Sequence, residues 1–392
     1  MPWKAHRLMG LKLEFVERAI AGSNVSELCR EFGISRQTGH KWLRRYRERG
    51  YDGLEEESRR PKTAPLATAE DVVAAILALR ESHPRWGARK LVHLLRKEFA
   101  DLAPSERTVV RVLKRFGRVR KRVNRRGLSL VERAPTVVAK ASNDVWTIDF
   151  KGWWRVGDGQ RCEPLTVRDA YSRYVLAIAL LDRNDEAHVR SVLSRLFSRH
   201  GVPAAIQCDN GSPFVSVRAR AGLTRLSAWW TTLGIRVVRS RVGKPQDNGA
   251  HERMHADMAA ELQLAPERTR GAQQRSCDRW RQEFNHVRPH EALHGKTPAE
   301  FYRSCPTKPR PKAPVYPAAW LIRRVAKSGH ICVGAQPIFI SQAIAEHHVA
   351  LQTLDGLLCR VWFHHVDLGT IEVAGPEQLL PPRRLASRRS VA

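Results

Sequence analysis

The residue pattern of the chain changes near residue 143, and this change constrains the fold more than any other feature. Before it, apolar residues recur at helical spacing, as in residues 11–21, where Leu13, Val16 and Ile20 share one face. After it, residues 144–156, 162–169 and 173–180 are rich in β-branched and aromatic residues and are separated by short turns. The sequence therefore predicts all-α units followed by a region built on a sheet.

The first 52 residues have the pattern of a helix-turn-helix. Two helical segments, residues 26–32 and 36–47, flank Gly33, which suits a tight turn, and Ser35, which suits a helix N-cap. The outer face of the second segment carries four polar residues that we expect to reach DNA bases: Arg36, Gln37, His40 and Lys41. An ordinary helical hairpin with solvated charges is the alternative for this segment alone.

A second helix-turn-helix is predicted over residues 66–117, after a polar stretch at residues 53–65. Its last helix carries Arg107 and Arg111, which are further candidates for DNA contacts. Residues 105–133 hold 11 lysines and arginines against 2 glutamates, an imbalance that a merely solvated surface rarely needs. We interpret residues 118–142 as a basic linker that tracks DNA phosphates, with contacts predicted for Arg120, Lys121, Arg122, Arg125 and Arg126.

Residues 143–305 are predicted to form one α/β domain. Three strands come first and are followed by alternating helices and strands, an order that favours a mixed sheet with helices on both faces. A proline-rich spacer at residues 306–317 should be stiff and extended, and could place the C-terminal domain on a neighbouring subunit. Short strands with glycines near the bends predict that this domain is a small β-barrel over residues 318–376, and residues 377–392 form a basic tail.

The net charge limits the partners of the chain. Lys and Arg number 68 against 39 Asp and Glu, a balance of +29 that attracts nucleic acid or an anionic membrane. The longest nearly pure apolar run, residues 174–181, is far shorter than the ~20 residues of a spanning helix. No apolar signal segment opens the chain, and its 7 cysteines are scattered without a CxxC pair. We therefore expect an intracellular DNA-binding protein that has no membrane partner.

Three carboxylates stand out by their positions. Asp149 interrupts an apolar strand pattern, Asp209 ends another strand, and Glu252 opens a helix. Burying an unpaired carboxylate is costly, and a divalent cation bound to Asp149 would offset that cost. Mg²⁺ takes carboxylate oxygens and keeps several waters, so three such acids suit one or two ions. For Asp209 alone, beside Asn210 and Gly211, a role in a turn is the alternative.

A rival motif overlaps the third acid. His251-Glu252-Arg253-Met254-His255 spells HExxH, in which two histidines one turn apart bind zinc and the glutamate acts as base. The metzincin continuation fails, because Met258 stands at its glycine position and Glu261 at its histidine position. A protease also leaves the charge of +29 unexplained. Chance or a nucleic-acid contact explains the two histidines better.

Four motifs together carry a family resemblance: WTIDFKG around Asp149, CDNGSPF around Asp209, GKPQDNGAHERMH around Glu252, and FNHVRPHEALHGKTPAEFY at residues 284–302. The sequence resembles DDE transposases of bacterial insertion sequences, whose core is of the retroviral-integrase type. The resemblance implies an RNase H-like core in which Asp149, Asp209 and Glu252 are the catalytic and metal-binding trio. It further implies two Mg²⁺ ions per active site, for which Mn²⁺ can substitute. One departure is the 42 residues between Asp209 and Glu252, more than in typical integrases, which we expect to reflect a surface insertion near residues 218–230.

The resemblance also implies an activity and partners. A polynucleotidyl transferase of this kind binds the terminal repeats of a mobile element, cleaves the ends and joins the 3′-OH ends to double-stranded target DNA. It would act as at least a dimer on DNA, in the bacterial cytoplasm and near the nucleoid. Core residues predicted to contact DNA are Lys244, His255 and Arg288. The alternative is a DNA-binding regulator with an inactive integrase-like core.

Overall fold

A computed structural model describes residues 2–57, 67–119, 137–216, 218–240, 249–306, 308–355 and 357–373, with side chains from residue 8 onward. The chain divides into two compact units, Met1–Ala69 and Glu70–Ala392. Most of the polar stretch at residues 53–65, most of the basic linker at residues 118–142 and the whole basic tail lie outside the described residues. So do six of the predicted DNA contacts: Arg120, Lys121, Arg122, Arg125, Arg126 and Lys244.

The first unit is a helix-turn-helix, as predicted. Helices α1 (Pro2–Ile20), α2 (Val25–Glu31) and α3 (Arg36–Arg49) pack around an apolar core that includes Phe15, Leu28 and Trp42. Gly33 has a φ of +65° in the turn, a conformation that glycine adopts without strain. The Ser35 hydroxyl accepts a hydrogen bond from the Thr38 amide at 3.1 Å, so Ser35 is the N-cap of α3.

The second unit begins with another three-helix arrangement. Helices α4 (Glu70–Ser82), α5 (Ala88–Phe99) and α6 (Glu106–Arg115) enclose Ile76, Leu91 and Leu95. The Ser105 hydroxyl accepts from the Thr108 amide at 3.2 Å and so caps α6. Arg107 and Arg111 therefore lie one turn apart on the same helix.

The central sheet is mixed, as the strand order predicts. Its strands lie in the order β5-β4-β1-β6-β7, in which β1 pairs with β4 in antiparallel and with β6 in parallel fashion. The long first strand predicted from the sequence is instead broken at Gly152, whose φ is +85°, and a small hairpin of β2 and β3 comes next. The bounds are β1 Val145–Phe150, β2 Trp154–Arg155, β3 Arg161–Cys162, β4 Pro164–Asp169, β5 Val175–Leu180, β6 Ala205–Cys208 and β7 Arg236–Arg239.

Helices cover both faces of this sheet. On one face, α7 (Glu186–His200) and α8 (Arg225–Thr232) bury the β1 residues Trp146 and Ile148. On the other face lie α9 (Gly249–Met258), a π-helical turn (Ala259–Gln263) and α10 (Arg270–His286), and the short α11 (Pro298–Phe301) contacts α10. Because side chains alternate along a strand, Thr147 and Asp149 face the α9 side.

Among the described residues, the C-terminal strands do not close into the predicted barrel. Four of them form an antiparallel sheet in the order β13-β12-β11-β8, and β9 and β10 form a separate hairpin. A closed barrel would need main-chain hydrogen bonds between neighbouring strands at the edges of these sheets, but side chains bind the carbonyls there. Arg323 Nε donates to Cys332 O between β8 and β9 at 3.1 Å, and Arg220 donates to Thr370 O of β13 at 3.2 Å. The bounds are β8 Leu321–Arg324, β9 His330–Val333, β10 Gln336–Phe339, β11 His348–Asp355, β12 Leu358–Phe363 and β13 Val366–Glu372.

The C-terminal domain packs on the core of its own chain. Leu223 and Ala228, next to and within α8, are part of its apolar core, and the Lys312 amide in the spacer donates to Thr232 O at 2.7 Å. Residues 218–230, which we expected to be a plain surface insertion, therefore form the surface on which the C-terminal domain packs. This corrects the expectation that the spacer places the C-terminal domain on a neighbouring subunit, because the apolar face of that domain is buried against its own chain.

Candidate active site

The strand register brings two of the three acids to one edge of the sheet. In the parallel ladder of β1 and β6, Val145 lies opposite Ala205 and Thr147 opposite Gln207. Continued by two residues, the same register puts Asp149 opposite Asp209, at the carboxyl ends of both strands. The Asp209 carboxylate also accepts a hydrogen bond from the Gly211 amide at 3.1 Å, so the turn contact considered for it is present too.

The third acid is positioned by the buried start of α9. His251 has no exposed surface, and its Nδ1 and Nε2 atoms lie 2.8 Å from Thr147 Oγ1 and 2.7 Å from Thr166 Oγ1. Arg168, on β4, donates to the carbonyl of Ala250 at 2.7 Å. Glu252 is the next residue after His251 and is exposed in the first helical turn. The polar face of β1 and β4 thus fixes the helix that carries Glu252.

The Thr166 hydroxyl connects this helix to Asp149. It donates to the main-chain carbonyl of Asp149 at 2.9 Å, and Nε2 of His255 lies 2.8 Å from it. Because its single proton goes to that carbonyl, the hydroxyl accepts from the Nε2–H groups of both His251 and His255. Burial is the main cause that lowers the pKa of both imidazoles, that of His255 to about 3 with smaller contributions from Lys151 and Arg168, so both rings are neutral. The His255 Nδ1 atom then faces Asp149 Oδ2 at 3.9 Å.

The three acids share one electrostatic environment. The Asp149 side chain is 20 % exposed. Burial raises its pKa to about 7, and the negative charge of Asp209 and, more weakly, that of Glu252 add to the rise. A buried carboxylate whose ionisation is disfavoured by two neighbouring acids forms a site that a cation would stabilise.

The donor set fits a hard divalent cation. All three side chains offer carboxylate oxygens, which Mg²⁺ and Mn²⁺ prefer. Across the parts of the chain that the structure describes, no three or more His, Cys, Asp or Glu side chains lie close enough to hold a metal ion among them. Mg²⁺ usually needs only one or two carboxylates, with waters and substrate phosphates completing its shell. The contacts give the zinc alternative no support, because the Nε2 atoms of His251 and His255 are both bound to Thr166.

Several predicted DNA contacts lie on accessible helix surfaces. Arg36, Gln37 and His40 are exposed on α3, and Arg107 and Arg111 are exposed on α6. Lys41 is half-buried, with its ammonium 4.6 Å from the centroid of the Trp42 ring. These side chains leave both helix-turn-helix units able to present basic groups to DNA.

The predicted DNA contact at Arg288 is corrected by the structure. Arg288 is 1 % exposed. Its guanidinium binds Asp257 Oδ2 at 3.1 Å and also pairs with Glu261. Three aromatic rings surround it at 5.3–5.5 Å: Trp86, Trp280 and Phe284. Since Trp86 precedes α5, Arg288 joins the second helix-turn-helix to the core instead of facing phosphates. His255, another predicted DNA contact, is also largely buried: 12 % of its side chain is exposed, and it lies beside Asp149.

Sequence comparisons give the same domain order. A homeodomain-like domain matches residues 38–113, a helix-turn-helix domain residues 11–62, and two integrase core domain families residues 139–245 and 233–298. A 39.2 kDa protein of insertion element IS476 from Xanthomonas euvesicatoria is 27 % identical over 284 residues, which is 72 % of this chain and 79 % of that protein. A 31.7 kDa protein of insertion element IS407 from Burkholderia multivorans is 28 % identical over 282 residues, 71 % of this chain and 91 % of that protein.

Among solved structures, the HTLV-2 integrase catalytic core domain in complex with magnesium superposes with a TM-score of 0.32 and 15 % identity, over 42 % of this chain and all of that one. Within the described residues, no helix is both long and apolar enough to cross a membrane. The domain matches and the insertion-element relatives together support a DDE transposase of an insertion sequence, with an integrase core domain behind helix-turn-helix domains.

Proposed function

We propose that this transposase cleaves the ends of its element by metal-dependent hydrolysis and joins the resulting 3′-OH ends to target DNA at one site. The observation that supports the proposal is electrostatic: the negative charges of Asp209 and Glu252 help to raise the pKa of the buried Asp149. When bound, two divalent cations would neutralise the attacked phosphate and lower the pKa of the attacking water.

The side chains have distinct roles in this proposal. Asp149 is the most enclosed of the three acids, and together with the more exposed Asp209 and Glu252 it would hold the divalent cations. The positions of these oxygens are held by Thr166 and by the buried His251, which act as positioning residues. DNA enters this arrangement from the exposed side, where Asp209 and Glu252 reach solvent.

Both steps are direct displacements at phosphorus. In the first, water attacks the phosphate and the bond to O3′ of the element's strand breaks, which leaves a 3′-OH and a 5′-phosphate. In the second, that 3′-OH attacks a target phosphate and releases a target 3′-OH. No protein nucleophile is needed. Cys208, next to Asp209, is buried, and burial raises its thiol pKa to about 12 with a smaller contribution from Asp209, so it stays a thiol.

The assembly and location are part of the same proposal. One trio per chain has to process two element ends and one target, so we extend the proposal to at least a dimer on DNA. Its place of action would be the bacterial cytoplasm, at the nucleoid. The helix-turn-helix units would read the terminal repeats, with Arg36, Gln37 and His40 reaching bases in the major groove.

Isosteric substitution of each acid tests the proposal. In Asp149→Asn, Asp209→Asn and Glu252→Gln, Mg²⁺-dependent nicking and joining of a labelled duplex from the element's end should fall by a factor on the order of 10³ or more. Binding of the same duplex should stay within about twofold, because none of the three acids attracts DNA. The exposed Asp355, on β11, provides a matched control: Asp355→Asn should keep full activity.

Two results would contradict the proposal. Nicking within tenfold of the unsubstituted protein in any of the three variants would remove that acid from the site. Binding of the element's end without any nicking, in either Mg²⁺ or Mn²⁺, would favour the alternative of a DNA-binding regulator with an inactive core.

A further inference from the structure

Trp153, in the turn between β1 and β2, has an indole that faces solvent. It is 52 % exposed, whereas the next residue, Trp154, is 6 % exposed. Of the tryptophans whose side chains the structure describes, every other one is buried or half-buried. Because single exposed apolar side chains are ordinary, a binding role for this indole depends on the groups that surround it.

Two guanidiniums flank this ring. The Cζ atom of Arg161 lies 4.9 Å from the ring centroid and that of Arg155 lies 5.9 Å from it. The two arginines face each other across the β2–β3 hairpin, as cross-strand partners. Arg161 also donates to Glu163 Oε2 at 2.7 Å, which leaves the cluster with a surplus of positive charge. The surface therefore combines a flat aromatic face with cations, the two features that single-stranded nucleic acid recognises.

The hairpin that carries this surface is fastened to the core. At its tip, the amides of Gly157 and Asp158 donate to the carbonyls of Glu267 and Arg268 at 2.9 and 2.8 Å. At its base, the Lys151 amide donates to Pro164 O at 3.0 Å. The hairpin is thus bound both to the strand segment that follows Asp149 and to the loop before α10, and its position relative to the three acids is defined.

The short chain segment between Asp149 and Trp153 limits the distance between these two residues. Trp153 lies four residues after Asp149, so their Cα atoms lie no more than about 14 Å apart even in a fully extended chain. Successive stacked nucleotides of one strand are about 3.4 Å apart. The Cα atom of Trp153 is therefore no farther from that of Asp149 than the length of about four stacked nucleotides.

We propose that Trp153 is a stacking platform for an unpaired nucleobase of the DNA strand at the active site, and that Arg155 and Arg161 bind the phosphates beside that base. The inference rests on the proposed function, since it takes DNA as the molecule that reaches the acids. It adds a requirement that the acids do not impose: the end of the duplex opens near the cleaved phosphate, and the ring holds a base that has left the stack. Stacking on an indole tolerates any base, so this contact contributes affinity without sequence preference.

A binding measurement in the absence of divalent metal tests this platform separately from catalysis. The full chain is titrated into two 30-base-pair duplexes, one blunt and one with a three-nucleotide single-stranded extension that carries 2-aminopurine. We expect the extended duplex to bind more tightly and its 2-aminopurine fluorescence to be quenched by stacking. Trp153→Ala should lose about tenfold in affinity for the extended duplex, lose the quenching, and bind the blunt duplex as before.

Matched variants separate stacking from general damage to the protein. Trp153→Phe keeps a flat ring and should retain most of the affinity and quenching. Tyr171→Ala removes another exposed aromatic residue of the same domain and should change neither. Arg161→Gln should weaken the salt dependence of binding to the extended duplex while the ring remains.

The outcomes distinguish this inference from the proposed function. If Trp153→Ala binds the extended duplex as tightly as the unsubstituted chain, or loses equal affinity for both duplexes, the platform is wrong. If Trp153→Phe behaves like Trp153→Ala, stacking is wrong as its cause. If the platform behaves as expected while the unsubstituted chain does not nick DNA in Mg²⁺, the inference holds and the proposed catalysis fails.

Discussion

Replacing Asp149 by asparagine should make the metal-free protein more stable at pH 8 while it abolishes catalysis. Burial, Asp209 and Glu252 raise the pKa of Asp149 to about 7 from its ordinary value near 3.8, so the ionised carboxylate destabilises the fold. Since a tenfold change in proton affinity is worth about 1.4 kcal/mol, the penalty is on the order of 4 kcal/mol. The folded protein binds this proton more tightly than the unfolded one, so the penalty grows as the pH rises from about 4 to about 7.

Calorimetric unfolding in a chelator, at pH 8 and at pH 5, measures this effect. The stabilisation by Asp149→Asn should be largest at pH 8 and fall to less than half at pH 5, where the native carboxyl is protonated. Asp355→Asn, which changes an exposed acid, should shift the unfolding temperature little at either pH. A variant that is no more stable than the unsubstituted protein at pH 8 would show that the three acids do not repel one another in the folded state.

Replacing Arg288 by alanine should lower the free energy of unfolding by about 3–5 kcal/mol. The guanidinium is almost fully buried, and its removal leaves Asp257 with only the exposed Arg253 as a cation and Glu261 with only the Trp280 indole as a donor. The same change removes the packing between Trp86 and Trp280. Urea denaturation of the full chain, monitored by tryptophan fluorescence, measures the loss.

Arg253 offers a matched control for this prediction. It lies 3.9 Å from the same Asp257 but is 82 % exposed, so Arg253→Ala should cost less than about 1 kcal/mol. Equal losses for the two variants would contradict the structural role of Arg288 and return it to the candidates for DNA contact.

Local sequence patterns predicted much of the fold because the relevant interactions are local. The Ser35 cap and the turn at Gly33 depend on neighbouring residues, and the strand-to-helix alternation after residue 143 depends on periodicity. The closed barrel was wrong because closure depends on contacts between distant strands. Arg220 occupies one edge of the C-terminal sheet, and no local pattern announces a pairing over 150 residues along the chain.

The candidate site shows the same division between local and distant information. The acids were predicted from their unusual positions and from motifs, whereas the residues that hold them were missed. Thr147, Thr166 and Arg168 form the polar face beneath α9, and strict alternation along β1 and β4 was the signal that could have identified them. Arg288 was misjudged because a basic residue near histidines resembles a phosphate contact until its buried acidic partners are known.

Sulfur substitution at the cleaved phosphate tests most directly whether metal held by the acid trio drives the chemistry. The duplex is made with a phosphorothioate at the mapped cleavage position, and nicking is measured in Mg²⁺ and in Mn²⁺. Because Mg²⁺ binds sulfur poorly and Mn²⁺ tolerates it better, we expect a strong loss of nicking in Mg²⁺ and recovery in Mn²⁺. Asp149→Asn should show no recovery. Equal nicking of the oxygen and sulfur substrates in Mg²⁺, or recovery that persists without Asp149, would show that metal held by these acids does not drive the chemistry.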